Sequence, residues 1–152
     1  MSVKEFLERT SAKYEVTEHH PAFTAQRIAQ AEHIHGMNVA KPVVVTADGR
    51  YYMCVLPACC RIDMEVLRGL LGADEIELTD EFEMAKLFAD CEVGAEPPFG
   101  SLYGLPTIMD ELLEDNDSIV FQSGSHDEAV KMDLLEYRRI ENPKILSFSY
   151  HI

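Results

Sequence analysis

The sequence predicts an α+β fold in which a curved, barrel-like, mixed or antiparallel β-sheet is surrounded by helices. Two β-rich runs, VAKPVVVTA and RYYMCVLPA, flank Asp48-Gly49, a dipeptide that strongly favours a two-residue hairpin turn. Other short alternating segments follow, and hairpins outnumber strand–helix–strand units, which favours α+β over parallel α/β. The length of 152 residues predicts one domain spanning residues 1–152.

Local signals locate the elements that precede the hairpin. Ser2 and Glu5 in SVKE form a capping box for a short first helix, and KYEVTEH alternates like a short strand. Thr24 is the expected N-cap of a second helix, AQRIAQAEHIH, which ends at Gly36.

Two more helices are expected after the hairpin. Asp63 is the expected cap of the first, which ends near Gly72, and Thr79 is expected to start the second. The residues predicted to face inward are Val66, Leu67, Leu70 and Leu71 in the first helix and Phe82, Ala85, Leu87 and Phe88 in the second.

The rest of the chain is predicted to be mostly strand. GLPTIM and SIVFQSG are typical of strands, and a short acidic turn or helix separates them. EAVKM is a further strand, Asp133 is expected to cap a last helix, LLEYRRI, and the alternation of KILSFSYHI predicts a closing strand.

The charge is strongly negative and unevenly distributed. The formal net charge is -14; charges balance in residues 1–50, whereas residues 51–117 hold three basic and sixteen acidic side chains. Broad contact with a phosphate backbone needs a basic face, so the composition argues against DNA as a partner. Any nucleic-acid contact is expected to be local and to use the N-terminal third or the C-terminal segment.

The cysteines and the hydropathy pattern predict a soluble cytoplasmic protein. The four cysteines, Cys54, Cys59, Cys60 and Cys91, have no C-x-x-C spacing, which favours reduced, buried thiols. The N-terminus has no apolar leader, and no stretch approaches the roughly 20 apolar residues of a membrane span, so no membrane partner is expected.

The segment CEVGAEPPFG, residues 91–100, is unusually stiff. Each proline fixes φ and removes an N–H, while glycine permits positive φ. Such a loop can aim its remaining amides at a carbonyl or an oxyanion, and the alternative is a tight connector between a helix and a strand. A second glycine turn, FQSGSHDE, places His126 at its tip as a donor, a base, a ligand or a turn residue bonded to nearby backbone.

Lys41 lies on the apolar side of a predicted strand, beside Val43 and Val45. Burial of a lysine is costly unless it has a partner or a function. The alternative is a lysine at the start of the strand that extends to water, which Pro42 also favours.

The pairs His19-His20 and His33-x-His35 are the histidines that could suggest a metal site. Neither has the order of a C-x-x-C or H-E-x-x-H site, and no phosphate loop or dinucleotide fingerprint is present. The sequence therefore predicts no metal and no cofactor.

Four segments in order, HPAFTAQRIAQAEHIHGMNVAKPVVV, VLPA, CEVGAEPPFG and SGSH, resemble the YbaK and prolyl-tRNA synthetase-associated domain family of aminoacyl-tRNA deacylases. The resemblance covers roughly residues 10–140. It implies a YbaK-like fold that hydrolyses, in trans, the ester joining a mischarged amino acid to the 3′-terminal adenosine of tRNA.

The resemblance also implies a set of site residues and no Ser-His-Asp triad. Lys41 would anchor the aminoacyl-adenosine end, and the loop from Gly94 to Pro98 would bind the ester carbonyl and the small side chain. A neighbouring ribose hydroxyl of the substrate would help to activate water or the leaving group. The residues implied in substrate binding are His20, Phe23, His33, Gly124, Ser125 and His126.

Aminoacyl-tRNA, held at its acceptor end, is the implied partner, together with prolyl-tRNA synthetase. Alanine or cysteine on proline tRNA is the implied substrate, with serine or threonine as further options. This sequence departs from the family pattern because Pro42 follows Lys41 where many relatives carry a small polar residue, and because its acidic charge suits tRNA poorly.

Two other functions are compatible with the sequence. One is a non-catalytic module of the same fold that recognises a nucleotide or an aminoacyl-adenosine-like ligand, which would bind without turnover. The other is an unrelated thiol or metal hydrolase that uses Cys91 or the histidine pairs, which a thiol reagent or a chelator would inhibit.

Overall fold

The computed structural model describes residues 1–18 and 36–152, so the predicted helix from Thr24 to Gly36 lies outside the described residues except for its last position. The helices are α1 Val3–Arg9, α2 Met64–Leu71, α3 Glu81–Leu87 and α4 Leu134–Glu141, and 3-10 segments cover Gly36–Asn38, Gly100–Tyr103 and Glu111–Asp115. The strands are β1 Glu15–Glu18, β2 Ala40–Ala47, β3 Arg50–Pro57, β4 Cys60–Ile62, β5 Ile76–Leu78, β6 Thr107–Asp110, β7 Ser118–Gln122, β8 Glu128–Asp133, β9 Lys144–Leu146 and β10 Ser149–His151. Helices beside mixed and antiparallel sheets confirm the α+β class.

The described strands form three sheets. The largest has the order β5-β2-β3-β6-β9 and is mixed, because β3 is antiparallel to β2 and parallel to β6. A second, antiparallel sheet has the order β1-β8-β7, and β10 pairs with β4. A parallel bridge between Val39 and Val120 connects the start of β2 with β7, so the two larger sheets adjoin where Lys41 lies.

The predicted hairpin is confirmed in register, with Ala47 opposite Arg50 and Lys41 opposite Leu56. Asp48 and Gly49 both have positive φ, of 49° and 80°, as a type I′ turn requires. The turn therefore has the conformation that this dipeptide favours.

Side-chain caps locate most helix starts. Ser2 and Asp63 cap α1 and α2, as predicted. The helix predicted to start at Thr79 begins later, at Glu81. Asp80 is its N-cap, and the Asp80 carboxylate accepts a hydrogen bond from the Glu83 amide at 2.8 Å. Asp133 precedes α4, but its side chain caps no amide.

The predicted inward faces of α2 and α3 are partly wrong. Leu67 is fully buried, whereas Val66 and Leu70 are each 44% exposed. Phe82, 70% exposed, and Ala85 also face outward. These helices have only 8 and 7 residues, so each contacts the core along a narrow line rather than a wide stripe.

The predicted closing strand is divided in two. β9 pairs with β6, whereas β10 pairs with β4 in a different sheet. Between them Phe148 is 1% exposed and packs in the core, so the chain turns inward there and changes sheets.

Two hydrophobic clusters lie on opposite sides of the β2–β3 hairpin, because successive strand residues alternate in direction. The first contains Val44, Met53 and Val55 with Phe99 and Phe121, and the second contains Val45, Cys54 and Leu56 with Leu67 and Phe148. The loop that ends at Phe99 thus packs against the first side.

Candidate active site

The proline-containing loop after α3 is exposed from residue 92 to Gly94 and buried from Ala95 onward. All residues from 95 to 100 are buried, and Glu96 is only 6% exposed. Gly94 has a φ of 86°, a conformation that favours glycine, and its amide donates to Glu96 Oε1 at 3.1 Å. The loop is therefore packed into the protein and held by its own side chain.

Of the residues from Gly94 to Pro98, one has an N–H without an acceptor in the part of the chain that the structure describes. The Ala95 N–H donates to the Glu92 carbonyl at 3.0 Å, the Gly94 N–H is used as above, and Pro97 and Pro98 have none. The remaining N–H belongs to Glu96. A fixed N–H in a buried loop is the kind of donor that can hold a carbonyl or oxyanion oxygen.

Backbone hydrogen bonds join this loop to the glycine turn. The Gly124 amide donates to the Ala95 carbonyl at 2.9 Å, and the Glu92 amide donates to the Gly124 carbonyl at 2.7 Å. Gly124 has a φ of 106°, and a Cβ built there would lie 3.7 Å from Cys91 Sγ. Two segments that the resemblance places in one site are thus directly bonded to each other.

His126 fixes the same junction. Its Nε2 lies 2.7 Å from the Val93 carbonyl oxygen, and its Nδ1 lies 3.2 Å from Gln122 Nε2. Because a carbonyl only accepts, Nε2 donates to Val93, and Nδ1 faces the Gln122 side-chain amide. His126 is 5% exposed, so this geometry favours a positioning role, and direct substrate contact by His126 stays a prediction.

Helix α4 holds the loop from the core side. The Tyr137 hydroxyl donates to the Pro98 carbonyl at 2.5 Å, and the Tyr137 ring lies edge-on to Phe99 with centroids 5.1 Å apart. The Glu141 carboxylate accepts from the Ser101 amide at 3.0 Å and from the hydroxyls of Ser101 and Thr107. Both ends of the segment that follows the prolines are therefore anchored to one helix.

Sequence reasoning missed Tyr137 and Glu141. Glu141 did carry a signal, because a carboxylate at the C-terminal end of a helix opposes the helix dipole and needs specific donors. Tyr137 carried none, since its partner lies 39 residues away in the chain.

Tyr137→Phe is expected to lower the free energy of unfolding by about 1–2 kcal/mol. The substitution keeps the ring that packs on Phe99 but leaves the buried Pro98 carbonyl without its donor. Urea denaturation measures the loss, with Tyr150→Phe as the control because Tyr150 is 50% exposed. Equal midpoints for the two variants would contradict this role of the hydroxyl.

Lys41 is half-buried in β2, and its Nζ lies 3.4 Å from the Ala58 carbonyl oxygen. Burial lowers the pKa of Lys41. Pro42 does not interrupt the strand, because the register continues with Pro42 opposite Val55. Lys41 pairs with Leu56 and therefore lies on the side of the hairpin that faces the second cluster, whereas the loop that ends at Phe99 packs against the first side. Among the described residues Lys41 has no hydrogen bond or ion pair to the loop, and a cavity shared with Gly94–Pro98 stays a prediction.

The described residues on either side of the segment 19–35 lie at the two parts of the site. Glu18 pairs with Glu128, two positions after His126. A Cβ built on Gly36 would lie 3.4 Å from Cys59 Cβ, beside the Ala58 carbonyl that Lys41 contacts.

Several predicted residues are not tested by this geometry. His20, Phe23 and His33 lie outside the described residues, as do His19 and His35. The Ser125 hydroxyl donates to Asp127 at 2.8 Å. In residues 1–18 and 36–152, no three His, Cys, Asp or Glu side chains form a group that could hold a metal ion, and no helix there is long and apolar enough to cross a membrane.

The thiol chemistry argues against a cysteine hydrolase. Burial raises the pKa of Cys91 to about 12, and its Sγ lies 3.2 Å from the Tyr103 hydroxyl. Because the nucleophile would be the thiolate, a thiol that stays protonated at neutral pH is poorly suited to attack an ester. Burial also raises the pKa of Cys54 to about 12 and that of Cys60 to about 11.

Comparison with known proteins gives a consistent result. A family model described as an aminoacyl-tRNA editing domain matches residues 19–140. The multifunctional Ser/Thr-tRNA deacylase ProXp-y of Escherichia coli (strain K12) is 26% identical over 147 residues, which cover 93% of this chain and 87% of that protein.

Two solved structures share the fold. A candidate trans-editing enzyme for prolyl-tRNA synthetase has a TM-score of 0.85 at 22% identity and covers 97% of this chain and 94% of its own. A hypothetical protein has a TM-score of 0.88 at 17% identity and covers 97% of this chain and 99% of its own. These likenesses confirm the YbaK-like architecture.

Proposed function

The chain belongs to the aminoacyl-tRNA editing domain family and hydrolyses the ester of aminoacyl-tRNA, and from this premise we propose that it edits, in trans, tRNAs mischarged with serine or threonine. The support for these amino acids is the similarity, over nearly the whole chain, to a relative named a Ser/Thr-tRNA deacylase. Alanine and cysteine on proline tRNA, which the family resemblance implies, form the second group of substrates.

The observation that carries the proposal is the bonded pair of loops that contain Gly94–Pro98 and Gly124. Their buried backbone leaves the Glu96 N–H as a fixed donor, which we assign to the ester carbonyl oxygen. The attack of water places negative charge on this oxygen, so the donor bonds more strongly to the tetrahedral intermediate than to the ester. No reorganisation is needed, because the loop is already held by Tyr137.

Lys41 has a separate role in this mechanism. Its ammonium binds the terminal adenosine of the tRNA, through a phosphate or a hydroxyl, on the side of the hairpin opposite the loop, so the ester must reach the loop past the start of β2. The neighbouring ribose hydroxyl of the substrate assists the attacking water or the departing ribose oxygen. The donor at Glu96, the ammonium of Lys41 and the ribose hydroxyl together suffice to hydrolyse an aminoacyl ester, because this ester is intrinsically reactive.

The proposed selectivity is for a size class rather than for one amino acid. One methylene changes discrimination by only about 1–3 kcal/mol, so a small rigid pocket rejects large side chains more strongly than it separates small ones. Selection by size agrees with the proposed substrates, because serine, threonine, alanine and cysteine all have small side chains.

We also propose that the protein contacts only the acceptor end of tRNA. The net charge of -14 opposes contact with a long phosphate backbone. Prolyl-tRNA synthetase, or another synthetase, would then present the tRNA body, and deacylation would accelerate in its presence.

The test is a deacylation panel with the purified protein. Ser-tRNA, Thr-tRNA and Ala- and Cys-tRNA(Pro) are incubated with and without prolyl-tRNA synthetase, and correctly charged Pro-tRNA(Pro) is the control. We expect fast loss of Ser- and Thr-tRNA and retention of Pro-tRNA(Pro). Binding of these tRNAs without hydrolysis would identify a non-catalytic module and refute the proposal.

A further inference from the structure

Glu96 is a buried acid with few bonding partners. Its side chain is 6% exposed, and among the described residues its carboxylate accepts one hydrogen bond, from the Gly94 amide at 3.1 Å. Lysine, arginine and histidine side chains of residues 1–18 and 36–152 form no ion pair with it. Burial of a carboxylate is costly unless donors or a cation compensate its charge.

Two other buried acids show how this protein normally compensates that cost. Glu141 accepts three hydrogen bonds, from the Ser101 amide and from two hydroxyls. Asp110 accepts two hydrogen bonds, from the Leu112 amide to Oδ1 at 3.0 Å and from the Phe148 amide to Oδ2 at 3.4 Å. In the described part of the chain Glu96 has a donor on Oε1 alone, so its second oxygen remains available to a donor from elsewhere.

The Glu96 carboxylate lies at the junction of the two loops. It accepts from the Gly94 amide at 3.1 Å, the adjacent Ala95 carbonyl accepts from the Gly124 amide at 2.9 Å, and its charge adds to burial in raising the pKa of the Cys91 thiol. Cys91 Sγ in turn lies 3.7 Å from the Cβ position of Gly124. The available carboxylate oxygen and the available N–H of the loop thus belong to one residue in the same small region.

We propose that Glu96 binds the α-ammonium group of the aminoacyl ester. In an aminoacyl ester the ammonium is attached to the carbon next to the carbonyl, so one residue can hold both groups. The Glu96 N–H holds the carbonyl oxygen and the Glu96 carboxylate holds the ammonium. This inference rests on the proposed function and adds a requirement that the function alone does not contain: the substrate must carry a free, charged amino group.

The requirement distinguishes classes of tRNA ester. Peptidyl-tRNA and other N-blocked esters lack the ammonium and would bind poorly. The competing assignment for Glu96 is a purely structural one, in which its carboxylate only holds the Gly94 amide and does not respond to the amino group of the substrate.

The experiment compares two esters and two proteins. Ser-tRNA is treated with nitrous acid, which replaces the amino group by hydroxyl and gives an α-hydroxyacyl ester of the same size. Wild type and Glu96→Gln are assayed for kcat/KM on both esters. Gln keeps the carbonyl oxygen that accepts from Gly94 but removes the charge.

We expect Glu96→Gln to lose about 10- to 100-fold in kcat/KM on Ser-tRNA and to be nearly unchanged on the α-hydroxyacyl ester. For each ester the result is the ratio of the variant's kcat/KM to that of wild type. The different intrinsic reactivity of the two esters cancels in these ratios. Glu111→Gln, at an exposed position, is the matched control and should not change either ratio.

Equal losses on both esters would assign Glu96 a structural role and overturn the inference, and so would no loss on either. If wild type hydrolyses neither ester, the proposed function itself fails. If wild type hydrolyses Ser-tRNA and the variant shows no preferential loss on it, only the role of Glu96 fails.

Discussion

Lys41→Ala should reduce kcat/KM for deacylation of Ser-tRNA by about 10- to 100-fold while the protein remains folded. The variant loses the ammonium proposed to bind the terminal adenosine. It loses little structure, because within residues 1–18 and 36–152 the side chain makes one hydrogen bond, of 3.4 Å, to the Ala58 carbonyl. The free energy of unfolding should therefore change by less than about 1 kcal/mol.

Two further variants make this result interpretable. Lys41→Met keeps most of the aliphatic stem and should be as inactive as Lys41→Ala, because charge rather than packing is lost. Lys144→Ala removes an exposed lysine from β9 and should retain full activity. Wild-type turnover by Lys41→Ala would exclude the lysine from the site.

Gly100→Ala should destabilise the protein by about 3 kcal/mol and lower Tm by about 6–12 °C. A Cβ at this position would lie 2.4 Å from Thr107 Oγ1 and 2.7 Å from the Leu105 carbonyl oxygen. The carbonyl belongs to the backbone and cannot move cheaply. Thr107 is itself bonded to the Gly100 amide and to Glu141, so displacement of its hydroxyl also disturbs that carboxylate.

The matched control is Gly69→Ala in α2. Nothing lies within 4 Å of its Cβ position, so the same added methyl group should stabilise the helix by about 0.5–1 kcal/mol. Thermal unfolding of both variants is the measurement. Destabilisation of similar size at both positions would contradict the close packing described around Gly100.

The elements that sequence predicted well depend on local physics. The Asp48-Gly49 turn and the caps at Ser2 and Asp63 are each determined by residues within a few positions of one another. Exposure of Val66 and Phe82 was not predictable in this way, because a helical pattern identifies an apolar face but not how much core lies beneath it. That depends on pairings between distant strands.

The same distinction explains what could be predicted of the site. The stiffness of Gly94–Pro98 follows from its residue types, but its bonds to Gly124 join segments about thirty residues apart and were expected only from the family resemblance. The anchoring of Pro98 by Tyr137 was not predictable, since nothing near either residue indicates the other. A single sequence therefore identified the loop but not the structure that supports it.

The exchange of amide bonds between Gly124 and residues 92–95 has a consequence for redesign. An insertion in the proline loop or in the glycine turn would disturb both segments, because each is hydrogen-bonded to the other. Changes of loop length are therefore a poor route to new specificity. Point substitutions at residue 125, made on an unchanged main chain, offer a better one, because Glu96 is proposed to hold the amino group that every aminoacyl ester carries. A library restricted to residue 125 should yield altered amino-acid preference without loss of expression.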